Sequence, residues 1–183
     1  MSHTNEELIV LVDEQDNEVG LMEKMEVHRK SLLHRAFSVF IFNSQGEMML
    51  QRRALGKYHS GGLWTNSCCS HPYPSETIVD AARRRLFQEM GFTTDVKPIF
   101  HFIYKAALDN ELTEYEYDHV LIGDYDGLVE INPDEVGDYC FRTMHDIKNE
   151  LMSHPKKYTA WFHIAFPMLY DFLEKGNNVN DTE

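Results

Sequence analysis

Residues 77–90 repeat apolar side chains one helical turn apart, at Ile78, Ala82 and Leu86, and this run constrains the fold most. Ser75 stands in front as an N-cap and Gly91 behind as a stop, so the spacing predicts an amphipathic helix. The segments around it read as strands. Leu8–Val12 is apolar and β-branched, a polar turn follows at 13–17, and 18–22 closes a hairpin. Residues 37–42 and 47–52 flank Asn43-Ser44-Gln45-Gly46 and predict a second hairpin. Gly61-Gly62 and Pro72/Pro74 bracket a short extended piece at 64–69. Strands over 99–107 and 112–122 are joined by a turn at 109–111, and 139–142 is a further short strand. Thr143 with Asp146 resembles a capping box, opening a helix with Met144, Ile147 and Leu151 on one face. A last helix covers roughly 160–174, bent or delayed by Pro167, and the polar stretch 176–183 is expected to fray. No repeat or long linker splits the sequence, which reads as a single α+β domain over 1–183.

The 183 residues carry 17 Lys and Arg against 30 Asp and Glu, a net charge of -13. General binding to nucleic acid or to an anionic membrane is excluded on that balance. An anionic small molecule would need a local basic cluster or metal ions. The 3 cysteines include the adjacent pair Cys68 and Cys69, which is not a disulfide framework and points to a reducing compartment. Apolar runs are strand-sized, and neither a secretory signal nor a spanning segment is recognisable. A cytoplasmic enzyme or binding domain is expected.

Some residues sit where bland and chemical readings compete. Glu89 borders the apolar stripe of the 77–90 helix and needs a partner there. Arg85, four positions earlier, supplies one; a metal ion is the other. Glu114 and Glu116 alternate in a strand and so share a face, with Asp118 beyond them. That face is either solvated or holds a cation. His28, His34 and His71 are dispersed, with no spacing that marks a metal site. Cys69 and His71 share one side of an extended segment, either as inert core and surface groups or as a pair for acid–base or nucleophilic work. Arg52, Arg53 and Lys57 form a basic cluster around a glycine loop, either solvated or suited to phosphate.

Taken together, the segment SHPYPSETIVDAARRRLFQEMGF at 70–92 resembles a degenerate Nudix box. Glu76, Arg84, Leu86, Glu89, Gly91 and Phe92 fit the pattern, while Ser70, Arg85 and Gln88 depart from it. Nudix hydrolases hold metals on several helix carboxylates, and only Glu89 remains of that group, so hydrolysis is the weaker reading. WTNSCCSHP, LLHRAF, RRALGK and TEYEY are similar to type I isopentenyl-diphosphate isomerases, in order and at compatible separations, from about Leu8 to Trp161. Ser70 replaces that family's usual glycine. The resemblance implies a Nudix-like fold, a central mixed β-sheet flanked by helices, with a core over about 32–173 and an N-terminal hairpin extension over about 8–23.

It further implies Cys69, not Cys68, and Glu116 as the catalytic pair, with Tyr104 hydrogen-bonded to the glutamate and Trp161 as the active-site aromatic. By the same resemblance His28, His34, His71, Glu114 and Glu116 enclose one divalent ion, Mn²⁺, Zn²⁺ or Mg²⁺. A second ion, Mg²⁺ bridging the diphosphate, is carried over to Glu89 and the Cys69 backbone carbonyl. Lys24, Arg53, Lys57 and Arg84 are carried over as diphosphate contacts. The implied substrate is isopentenyl diphosphate, converted to dimethylallyl diphosphate through a tertiary carbocation by one protonation and one deprotonation. The chain is expected to act as a monomer or weak homodimer. A pyrophosphohydrolase lacks its carboxylates at 85 and 88, and a non-catalytic diphosphate sensor would not need Cys69, Glu116 and the three histidines.

Overall fold

The structure, a computed structural model, describes residues 8–180, with side chains to 176. Its central strand is β3 (His34–Phe42), a nearly continuous apolar run of the kind that is buried on both faces. The hairpin of β1 (Leu8–Val12) and β2 (Glu18–Glu23) joins it where Leu11 faces His34. The Leu8–Val12 hairpin is thus as expected. The hairpin expected at 37–52 closes at its turn but opens beyond it: β3 and β4 (Met48–Arg53) pair at Phe42 and Met48 and then diverge. The physical reason is competition for an edge. That side of β3 is taken by β6 (Cys68–Ser70), which sets Ser38 opposite Cys69. β4 instead pairs with β5 (Trp64–Thr65) and β9 (Val136–Arg142). The extended piece expected at 64–69 is therefore two strands on different partners.

β7 (Val96–Ala107) and β8 (Thr113–Asp124) form the long antiparallel hairpin expected, turning at Asp109–Glu111. β8 also runs parallel to β3, setting His34 opposite Glu116 and Ala36 opposite Asp118. Such parallel pairing joins residues far apart in sequence, and no local pattern announces it.

Alternation along β3 divides the core. Odd positions Phe37, Val39 and Ile41 pack on α2 (Ile78–Met90) through Ala81, Ala82, Leu86 and Met90. The even position Phe40 packs with Val120 against Ile147 of α3 (Met144–Ser153) and Phe162 and Phe166 of α4 (Phe162–Asn180). Each such fully buried side chain contributes about 1.5–3 kcal/mol. Helices thus cover both faces of one mixed sheet. Near the start of β3 and β8 the even face turns polar, with His34, Ser38, Glu114, Glu116 and Asp118 all buried.

Helix ends bring corrections. Thr77, not Ser75, caps α2, its side chain accepting from the Asp80 amide; Ser75 lies in the preceding turn at φ 67. Gly91 ends α2 as expected at φ 75, where a Cβ would meet the Glu130 carbonyl oxygen at 2.4 Å. Thr143 caps α3 as expected, accepting from Asp146. α4 runs through Pro167 to Asn180 rather than stopping near 174, so the stretch expected to fray is helical as far as it is described; 181–183 lie outside the described residues. The sequence reading lacks α1 (Lys24–Lys30) altogether. Glu23 caps it by accepting from the Met25 and Glu26 amides, and Ser31 closes it in the left-handed region. Among the described residues no helix is long and apolar enough to cross a membrane.

Candidate active site and metal centre

α1, β3, the residue just after β6, and β8 each bring one ligand-type side chain to the same point. His28, His34, His71 and Glu116 offer atoms that all lie within 4.8 Å of one another. The His28 Nδ1 donates to the Lys24 carbonyl at 2.7 Å and the His34 Nδ1 to the Leu32 carbonyl at 2.8 Å. These bonds fix the tautomers and leave each Nε2 with a bare lone pair aimed inward. His34 Nε2 lies 3.2 Å from His71 Nε2, which lies 3.1 Å from Glu116 Oε1. The buried His28 Nε2 has no partner at all. Burial holds His71 down to about 3 and His28 below its usual range, so both rings are neutral and able to bind a metal. Converging lone pairs with an orphaned nitrogen among them fit a divalent cation.

Glu114 stands outside that set of four. Its Oε1 faces His59 Nε2 at 3.5 Å, and its Oε2 lies 2.8 Å from the Tyr104 hydroxyl. The same hydroxyl donates to Glu116 at 2.7 Å. One hydroxyl hydrogen cannot serve two carboxylates. Burial and the neighbouring Glu116 push Glu114 well above the usual carboxylate range, so of the two it is the readier to take the second proton this arrangement calls for. Burial also works against an ionised Glu116, but the His34 and His71 rings that face it outweigh that and hold Glu116 well below that range.

Cys69 and Cys68 face opposite ways. Cys68 is fully buried against α2, while Cys69 lines a cleft together with Tyr104, Glu116 and Trp161. Burial pushes the Cys69 thiol above its usual range. Trp161 is buried, and the Arg53 guanidinium lies 5.3 Å above its ring.

Lys24, Arg53 and Lys57, the expected diphosphate contacts, line this cleft on an otherwise acidic protein. The Arg53 Nε is buried without a partner, which suits it to an incoming anion. Lys57 is paired with Glu135. Arg52 points away, towards Asp138, and takes no part. Arg84 is held by both oxygens of Glu76 at 2.7 Å and stacks 3.6 Å over Tyr73, borders an adjoining basic hollow, and is not among the cleft residues. Arg85 lines the cleft and pairs with Glu89, whose other oxygen accepts from Gln51 at 2.8 Å. Both Glu89 oxygens thus already accept a hydrogen bond, and a cation there would share the carboxylate with Arg85 or displace it.

Sequence reasoning missed Tyr58, His59 and Glu135 in the cleft wall; Arg85, read from helix spacing as the partner of Glu89, lines it too. Tyr58 and His59 lie in an irregular loop, where no periodicity marks the buried side.

The NUDIX domain matches residues 32–162. Among solved structures, a protein of Deinococcus radiodurans aligns with TM-score 0.67 at 19% identity, covering 81% of this chain and 90% of its own. The MutT protein of Methanosarcina mazei aligns with TM-score 0.61 at 19% identity, covering 81% and 95%. These likenesses show the fold. Curated relatives are nearer in sequence. The isopentenyl-diphosphate Delta-isomerase of Pectobacterium atrosepticum is 48% identical over 91% of this chain and 93% of its own length. Isopentenyl-diphosphate Delta-isomerase 2 of Photorhabdus laumondii is 50% identical over 86% and 89%. With such identity across nearly the whole of both chains, this protein belongs to the isopentenyl-diphosphate Delta-isomerase family, built on a NUDIX domain.

Proposed function

We propose that the chain interconverts isopentenyl and dimethylallyl diphosphate in this cleft, with Cys69 and Glu116 as its two proton-transfer groups. The observation that carries the reading is their meeting, with Trp161, in one cleft walled by Lys24, Arg53 and Lys57. The reaction adds a proton to the terminal methylene carbon and removes one from the carbon on the other side of the resulting tertiary cation. No bond to phosphorus breaks. One group must therefore give a proton and another take one, and a thiol and a carboxylate suffice. Tyr104 orients Glu116 through its hydroxyl. The indole of Trp161 offers a face that stabilises a nearby cation by roughly 0.5–2 kcal/mol. Its packing in the α4 core also excludes water, which would otherwise capture the cation as an alcohol.

A divalent ion at His28, His34, His71 and Glu116, with Glu114 beside them, would supply fixed positive charge that orients Glu116 and tunes its acidity. Mn²⁺, Zn²⁺ and Mg²⁺ all suit nitrogen and oxygen donors. A second ion, Mg²⁺ arriving with the diphosphate, would bind Glu89 and the Cys69 carbonyl once Arg85 turns from Glu89 to the substrate. Arg84 would contribute from the adjoining hollow. The unit is one domain with its core over 32–173, the β1–β2 hairpin an extension, working in the cytoplasm as a monomer or weak homodimer. Product identity tests the reading: incubation with isopentenyl diphosphate and Mg²⁺ should yield dimethylallyl diphosphate and no free phosphate. Phosphate release without isomer would favour hydrolysis.

Lys24 gives this site a pH dependence. Burial, then the neighbouring charges of Lys57, Arg85 and Arg53, lower its pKa from 10.5 to about 8. Below pH 8 it is charged and can hold diphosphate; above, it becomes neutral. KM should rise as pH passes 8, by up to about tenfold per unit for one lost proton, with kcat unchanged. Lys24→Arg should flatten the profile, because a guanidinium stays charged. A KM flat between pH 7 and 9.5 in the unaltered enzyme would refute this.

A further inference from the structure

One buried amide behind the cleft wall has more structure around it than the reaction outlined above uses. Asn66 is fully buried between β5 and β6. Its Nδ2 donates to two backbone carbonyls, Val39 at 3.0 Å and Cys68 at 2.9 Å. Both amide hydrogens are thereby spent, so the orientation of the amide is fixed and Oδ1 must face the other way. There it lies 2.9 Å from the Cys69 sulfur and accepts its S–H. Among the described residues the only other polar side chain hydrogen-bonded to that sulfur is Ser38 Oγ, at 3.5 Å, and its own hydrogen goes to Asp118 at 2.7 Å. Asn66 Oδ1 also accepts from the Thr65 hydroxyl at 2.9 Å, which accepts from Thr159 at 3.1 Å. Thr159 lies two residues before Trp161, and its amide donates to the Trp64 carbonyl at 3.0 Å. The amide oxygen thus sits between the thiol and the segment that carries the aromatic wall.

Resting on the reading of Cys69 as a proton-transfer group, we infer that Asn66 is the positioning residue of that thiol. It sets the rotamer of Cys69 and holds the S–H bond along the Sγ–Oδ1 line, leaving the sulfur lone pairs turned towards the cleft. An amide oxygen can only accept, so it steadies the protonated sulfur and offers nothing to a thiolate. Asn66 touches no substrate; it acts through Cys69.

Two measurements test the assignment. In the unaltered protein, the infrared S–H band of Cys69, isolated by subtracting the spectrum of Cys69→Ser, should lie below the frequency of a free thiol. A band at the free-thiol position, or none, overturns the proposal without any Asn66 variant having to fold. Asn66→Ala, which also strips two buried carbonyls of their donor, should keep KM within about twofold. Its kcat should fall by about tenfold to a hundredfold, the scale of a misplaced reacting group. Cys69 alkylation by iodoacetamide should reach half-maximal rate at lower pH in that variant. A folded Asn66→Ala enzyme with unchanged kcat and an unchanged alkylation profile would equally overturn it. If the protein isomerises its substrate but shows a free-thiol band, the Asn66 assignment alone fails. If the band is shifted yet no isomer forms, the functional reading fails and the geometry stands.

Discussion

Cys69→Ala and Glu116→Gln should each lower kcat by about 10²–10⁴-fold, the span of general acid–base catalysis, while Cys68→Ala stays near the unaltered rate. Either missing proton step leaves the double bond where it was, so the two single variants should be comparably inactive. Cys68 controls for mere loss of a thiol. It is one residue away but belongs to the apolar cluster with Ala82 and Leu86 of α2, its side chain turned from that of Cys69. Removing it should cost about 1 kcal/mol of stability, an ordinary core change. Glu116→Gln also weakens a metal ligand, so metal content must be measured alongside its rate. An inactive Cys68→Ala beside an active Cys69→Ala would shift the register of this strand by one.

The metal centre carries the second large effect. The purified protein should hold about one tightly bound divalent ion per chain, and His71→Ala should hold far less. A ligand at a hundredfold excess over its Kd stabilises a fold by about 2.7 kcal/mol. At about 2–4 °C per kcal/mol for a chain of this size, chelation should lower Tm by roughly 5–11 °C and abolish activity with it. His71→Ala should melt lower than the unaltered holoenzyme and respond little to chelator. The three Nε2 atoms compel this expectation, for without a cation His28 Nε2 stays buried and unpartnered. Unchanged metal content and unchanged melting in His71→Ala would remove the site.

How much of this the sequence displayed depends on the range of the interactions. α2 was legible because Ile78, Ala82 and Leu86 repeat locally and Gly91 stops the run. α1 was not, because its 7 residues, KMEVHRK, are mostly charged and only Val27 and His28 are buried. The same gap hid how Lys24 and His28 reach the site together. Glu114, Glu116 and Asp118 could be placed on one face by strand period, but solvated and metal-bound faces look alike in sequence. Only the parallel register of β8 on β3, with His34 opposite Glu116, shows this face to be buried beside the histidines. Glu89 shows the reverse. Its local partner Arg85 was foreseeable from helix spacing, and it occupies the carboxylate that the family resemblance assigns to a metal. Asn66 lay inside a quoted motif, yet its bonds to Val39 and Cys69 exist only once β6 has docked on β3.

The central claim is that protons move at carbon and the diphosphate stays whole, and turnover in heavy water tests it most directly. Isopentenyl diphosphate incubated with the holoenzyme in deuterium oxide should give dimethylallyl diphosphate carrying deuterium in a methyl group, seen by mass spectrometry, with no phosphate or pyrophosphate released. Unlabelled substrate with phosphate or pyrophosphate accumulating would contradict the account.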